Sequence, residues 1–258
     1  MPSLNSARHS HHKKRRWHVI QSLFFIFVFS LAVFFFLQSS FFRVKGIQVN
    51  GNKQLRREQI VALTGLAKGI NIFKANLKLA EDKIALHPMV KQVNISRELP
   101  STIVINLTER KPVGLAVNPG HFIAVSEDGF YLAKVNNMGT INLPIITGIK
   151  ISNSGPGQEI VDPKLKAALQ YLVAMPLNIR AAVSEINVSD LNNIRMTTID
   201  EAEIRFGDAG RINDKIKLYK EVISQKYSSK IQYMDISYKG SPVVKLIEPS
   251  DQEKQQKP

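Results

Sequence analysis

The first strong pattern in the chain is a block, not a period. From Trp17 to Phe42 no position carries a charge, and Arg15-Arg16 and Arg43 bracket the run. As a helix its 26 residues would measure roughly 39 Å, more than the roughly 30 Å of a bilayer's hydrocarbon core. Val19 to Leu37 would span by themselves, and a lone segment in lipid must be helical to satisfy its own backbone. Arg8, Lys13, Lys14, Arg15 and Arg16 precede the run with no acidic residue among the first 16 positions. Cationic flanks stay in the cytoplasm, so the expected topology is a type II single-pass protein with its long C-terminal part outside. A cleaved signal peptide is the rival reading. The apolar run exceeds the usual signal core and no small-x-small site follows it, so a retained anchor is expected.

Past the block, periodicity takes over. Val44–Val49 reads as a strand ending at the turn Asn50-Gly51. Leu55, Ile60 and Leu63 mark a helix stopped by Gly65; Asn76 caps a second, over Leu77–Leu86, with Leu77, Ala80 and Ile84 on one face and Pro88 closing it. Two strands follow, Val90–Arg97 and one carrying Ile103, Ile105 and Leu107, joined at Leu99-Pro100-Ser101. The order β-α-α-β-β predicts a small sheet covered on one side by two helices. After Lys111-Pro112 the chain turns β-rich. Strands are expected at Phe122–Val125, Phe130–Leu132, Leu143–Ile146, Val183–Val188, Ile194–Ile199, Ala202–Phe206 and Tyr233–Tyr238, with a hairpin partner at Pro242–Ile247. Two helices interrupt them: one from Pro163 to Ala174 behind an Asp162 cap, and one from Ile212 to Lys226 with Ile212, Ile216, Tyr219 and Ile223 on one face.

The expected organisation is therefore a basic cytoplasmic tail (1–16), a membrane helix (17–42), a small α+β domain (43–111), a β-rich domain with two helices (112–247) and a disordered tail (248–258). The last segment is polar and lacks large apolar groups.

Composition narrows the chemistry. Nine of the 13 Phe residues lie between Phe24 and Phe42, so the outer part is ordinary in aromatic content. Setting aside the five cations before Trp17, the formal charge of +14 leaves +9 outside, which suits anionic headgroups or acidic wall polymers. Nucleic acid is disfavoured by the outward topology. With no cysteine, disulfides, thiol catalysis and Cys–zinc sites are excluded. Only His87 and His121 lie beyond the membrane run, neither at metal-ligand spacing, and the His9/His11/His12 group reads as a solvated basic tail. There is no Gly-x-Ser-x-Gly elbow, the single Ser-x-x-Lys (Ser10 to Lys13) lies in the tail, and Gly155-Pro156-Gly157 is a turn without phosphate donors. Ser224 and Lys226, two apart on a helix, point to different faces. Glu127-Asp128 and Asp200-Glu201 fall on turns, where carboxylates are solvated. No catalytic site, cofactor, metal or small-molecule substrate is expected.

His87-Pro88-Met89-Val90-Lys91-Gln92-Val93, Arg97-Glu98-Leu99-Pro100-Ser101-Thr102 and Glu109-Arg110-Lys111-Pro112-Val113, together with Gly46-Ile47-Gln48-Val49-Asn50-Gly51-Asn52, carry a family resemblance. The chain resembles the FtsQ/DivIB family of bacterial division proteins over nearly its whole length. The resemblance implies a POTRA domain at 43–111, an FtsQ-type β domain after it, and a non-enzymatic scaffold at the division septum. It further implies binding of FtsL-type and FtsB/DivIC-type bitopic proteins in support of septal peptidoglycan synthesis. The alternative is a secretion or transport scaffold with a single POTRA-like unit. Family members use the last strand of the β domain as a docking edge, and Tyr233-Met234-Asp235-Ile236-Ser237-Tyr238 matches their Tyr-x-Asp-x-x-Tyr pattern. Tyr233, Asp235, Ser237 and Tyr238 are accordingly the expected partner-binding residues on an edge strand. Lys239-Gly240-Ser241-Pro242 departs from that pattern. Independently of the family, an exposed edge offers unpaired N–H and C=O groups to an added strand, and Tyr supplies apolar area with a polar tip.

Overall fold

A computed structural model describes residues 11–136, 142–151, 154–224 and 230–247, with side chains from residue 17 onward. The architecture is α+β and divides into two compact units, residues 1–84 with 93–107, and residues 85–92 with 108–258. The expected tail after 247 and most of the N-terminal tail lie outside the described residues.

The first unit begins with α1 (His11–Gln38), whose stretch Trp17–Gln38 is apolar on every side and long enough to cross a membrane. The helix stops four residues before the uncharged run does. Ser39 ends it, its Oγ accepting from the Phe41 amide, and Ser40–Phe42 coil into a 3₁₀ turn that buries Phe42. β1 (Gly46–Asn50) then pairs in parallel with β3 (Thr102–Glu109), and β2 (Val90–Glu98) takes the other side of β3. The connecting helices are α2 (Arg57–Thr64) and α3 (Leu77–Ala85). Gln59 Oε1 accepts from the Arg56 amide at the start of α2, two residues later than its apolar pattern suggested, and Gly65 ends it at φ 67°. Asn76 caps α3 through Oδ1 to the Leu79 amide. Alternate residues Ile103 and Ile105 of β3 are buried, as are Ile60, Ala80 and Ile84 of the helices. The period of two on the strand and of about four on the helices brings their apolar stripes together.

The second unit is built on a nine-stranded sheet. Its strands are β4 (Pro112–Asn118), β5 (His121–Ser126), β6 (Tyr131–Val135), β7 (Ile145–Thr147), β8 (Val183–Asn187), β9 (Ile194–Thr198), β10 (Glu203–Gly207), β11 (Ile231–Asp235) and β12 (Val243–Leu246). They run in the order 12-11-10-9-8-7-4-5-6. β4–β7, β7–β8 and β10–β11 are parallel and the other pairs antiparallel. The sequence reading missed β4, where Pro112 stands at the first position of the strand and takes nothing from the ladder behind it. It also missed the single turn α5 (Leu177–Arg180), which follows Pro176.

Helices α4 (Pro163–Ala174) and α6 (Ile212–Ser224) cover the sheet. Asp162 Oδ1 accepts from the amides of Lys164 and Leu165, capping α4, with Pro163 at its first position. The core gathers Tyr171 and Leu172 from α4, Ile216, Tyr219 and Val222 from α6, and Ile146, Ile186, Met196, Phe206 and Met234 from the strands. Phe206 sits between Tyr171 and Tyr219, ring centroids 4.7 and 6.3 Å away. The buried stripe of α6 differs from the expected one: Val222 is inside, Ile223 is half-exposed, and Lys215 is among the most buried residues of the chain. Leu115, Ala124 and Leu132, out of phase with their buried neighbours, form a smaller apolar cluster with Phe122, Phe130 and Met89.

Candidate partner-docking edge

The parallel crossover β10–α6–β11 delivers the last hairpin to one side of the large sheet. Ile204 faces Met234 in the β10–β11 register, and Met234 faces Val244 in the β11–β12 register. Ile204 and Met234 are buried, and Val244 packs on the same core. Because strand side chains alternate, their neighbours form the opposite, polar face. There the ladders run Thr197–Glu203–Tyr233–Lys245 and Arg195–Arg205–Asp235–Val243. Arg195 pairs with Glu203 at 3.6 Å and Arg205 with Asp235 at 3.7 Å.

Asp235 organises the end of β11. Tyr233 Oη–H donates to its Oδ2 at 3.1 Å, while the amide and hydroxyl of Ser237 donate to its Oδ1 at 2.9 and 2.6 Å. Burial pushes the Asp235 carboxyl up, but the Ser237 and Tyr233 donors and Arg205 outweigh it and hold its pKa below the usual range. Burial also raises the Tyr233 phenol. Gly207, at φ 72°, lets the chain turn sharply beside this bend: a Cβ there would lie 2.7 Å from Ser237 Cβ.

Of the four residues singled out, the structure joins Tyr233, Asp235 and Ser237 in one hydrogen-bonded group. Tyr238 stands beyond it, 74% exposed, on the loop to β12. It borders a shallow groove of about 240 Å³ lined also by Arg211, Lys217, Leu218 and Ile236. One expectation is corrected. The strand holding Tyr233 and Asp235 is second from the edge, because its hairpin partner pairs with it along Ile231–Asp235 and leaves β12 outermost. Pro242 lies just before β12 and so does not interrupt the pairing. The edge itself is Val243–Leu246, with Val243 64% exposed. The sequence reading placed this strand without assigning it the edge. The alternation of Val243-Val244-Lys245-Leu246 behind Pro242 was the signal available.

Lys215 and Asp208 form a second polar group. The Lys215 side chain is 2% exposed, and its Nζ donates to Asp208 Oδ1 at 2.6 Å and to the Asp208 carbonyl at 2.8 Å. Lys215 lowers the Asp208 pKa. Tyr171 Oη–H also donates to that carbonyl, at 2.6 Å, and burial raises its pKa. Both groups hold backbone in place. Among the described residues no cluster of three His, Cys, Asp or Glu side chains is arranged to hold a metal.

Residues 42–110 match the model of the FtsQ-type POTRA domain, and residues 115–237 match the C-terminal model of cell division protein FtsQ/DivIB. Cell division protein DivIB of Clostridium acetobutylicum is 29% identical over 223 residues, covering 81% of this chain and 85% of the relative. DivIB of Clostridium tetani is 27% identical, covering 86% of each. Cell division protein FtsQ of Geotalea daltonii is 27% identical, covering 81% and 78%. With two adjacent domain models of one family and an apolar N-terminal helix ahead of them, the chain belongs to the FtsQ/DivIB family of membrane-anchored bacterial cell division proteins.

Proposed function

We propose that this chain is a non-enzymatic, single-pass scaffold of the divisome. Its N-terminal tail lies in the cytoplasm and its two folded units outside, where they bind FtsL-type and FtsB/DivIC-type bitopic proteins at the septum and thereby support septal peptidoglycan synthesis. The orientation rests on the five cations before Trp17 and the absence of acids there.

The observation that carries the binding mode is the outer side of β12. Among the described residues Val243–Leu246 is the outermost strand of the large sheet, and an added partner strand would satisfy its backbone there. Tyr238 and Val243 are exposed beside that rim, one offering a ring with a polar tip and the other an apolar anchor. Tyr233, Asp235 and Ser237 then act mainly by fixing the bend that positions Tyr238. Imaging a fluorescent N-terminal fusion in dividing cells, with depletion in parallel, tests the role. Recruitment to midcell and filamentation on depletion are expected; a uniform envelope signal with normal division would overturn it.

A further inference from the structure

We infer that the rim of the first unit around the end of α1 is a docking surface for anionic phospholipid headgroups, a role separate from partner binding. Asn71 Nδ2 donates to the Leu37 carbonyl of α1 at 2.7 Å. Phe42 lies between Phe36 and Phe73, ring centroids 5.3 and 5.2 Å away, and the Ile72 amide donates to the Phe42 carbonyl at 2.8 Å. Residues 41–43 and 71–74 are thus fastened directly to the helix terminus.

The level of that terminus follows from length. Trp17–Gln38 comprises 22 residues, about 33 Å of helix against a hydrocarbon core of about 30 Å. Gln38 therefore reaches the boundary, and the residues fastened to it lie in the headgroup layer. The side chains exposed there suit that layer. Phe41 and Phe73 are 52% and 43% exposed, large apolar groups of the kind that settle at a membrane interface; the exposed cation Lys74 follows Phe73 directly, and the exposed Arg43 comes two residues after Phe41. Charge favours anionic lipid: the stretches fastened to the helix terminus, residues 41–43 and 71–74, carry Arg43 and Lys74 and no acidic residue. An exposed aromatic pair beside cations on a soluble surface would cost solubility; beside a bilayer it adds a second contact to the anchor and limits the unit's rocking about the Ser39–Ser40 joint.

The full chain with Trp17→Phe and Phe73→Trp, and separately Phe41→Trp, would be placed in nanodiscs containing brominated lipid, with and without about 30% phosphatidylglycerol. Quenching of the introduced Trp is expected, stronger with the anionic lipid and reduced by about half in Arg43→Glu/Lys74→Glu. No quenching at either position would overturn the surface. Quenching indifferent to lipid charge and to both reversals would overturn its preference for anionic lipid. Binding of a soluble polyglycerol phosphate without lipid quenching would assign the cations to a wall polymer instead. Quenching of native Trp17 in the unmodified chain reports insertion of α1 itself, which separates a failed anchor from a failed rim.

Discussion

Ser237 donates twice to one oxygen of Asp235, through its amide at 2.9 Å and its hydroxyl at 2.6 Å. This short bridge ends β11 and starts the loop that carries Tyr238. Replacing Asp235 by Ala strands the Ser237 donors and should cost about 1–3 kcal/mol of stability. The pH dependence has a definite sign. A carboxyl with a lowered folded pKa contributes above its unfolded value and loses that contribution as pH falls through the folded one. Wild-type stability should therefore decline below about pH 4 more steeply than that of Asp235→Asn. Urea midpoints measured from pH 6 to pH 3 test this, and parallel curves would remove Asp235 from the linkage.

Tyr238→Ala should leave the thermal midpoint within about 1 °C, because the ring is largely exposed and surface truncations are nearly neutral. Binding of soluble FtsB/DivIC-type partner domains should weaken by roughly tenfold or more, as for an aromatic anchor at an interface. Val243→Asp should weaken it as well. Unchanged affinity in both variants would remove β12 and its loop as the docking edge.

Lys215 and Asp208 should respond unequally. Asp208→Ala leaves a buried ammonium with one carbonyl acceptor, whereas Lys215→Met leaves a carboxylate that already meets solvent. The first should cost about 3 kcal/mol and the second less than half of that. Denaturant titrations of both variants check the order, and a larger loss in Lys215→Met would reverse the assignment.

Arg110 binds four things at once. Its guanidinium donates to the Pro88 and Val90 carbonyls, pairs with Asp128 at 3.1 Å and lies 3.7 Å from the centre of the Phe130 ring. A lysine offers neither the fork nor the flat stacking surface. Arg110→Lys should thus lose nearly as much stability as Arg110→Ala, about 2–4 kcal/mol. A lysine variant as stable as wild type would reduce the role to charge alone.

Much of the fold was legible because its signals are local. The β3 alternation of Ile103, Ile105 and Leu107, the Asp162 and Asn76 caps and the Gly65 stop need only neighbouring residues. What escaped depends on distant chain. Lys215 reads as a solvated position on α6 until Asp208, seven residues back, supplies its acceptors. Ile223 was expected inside, yet Val222 is what meets the core, since the rotation of α6 is fixed by the sheet below it. The candidate site was half legible. Tyr233, Asp235 and Tyr238 could be named, but which strand is outermost depends on the pairing order of nine strands, and no periodicity within one strand records its neighbours.

The parallel step from β10 to β11 has a consequence for biosynthesis. The final hairpin cannot join the sheet until α6 has crossed over it, and until then β10 is the open strand, its Glu203 and Arg205 lacking their β11 neighbours Tyr233 and Asp235. A chain synthesised only as far as Lys230 would lack β11 and β12, and with them the rim proposed for docking. A partner that docks on β12, as proposed, would therefore meet only chains in which α6 and β11 are already in place.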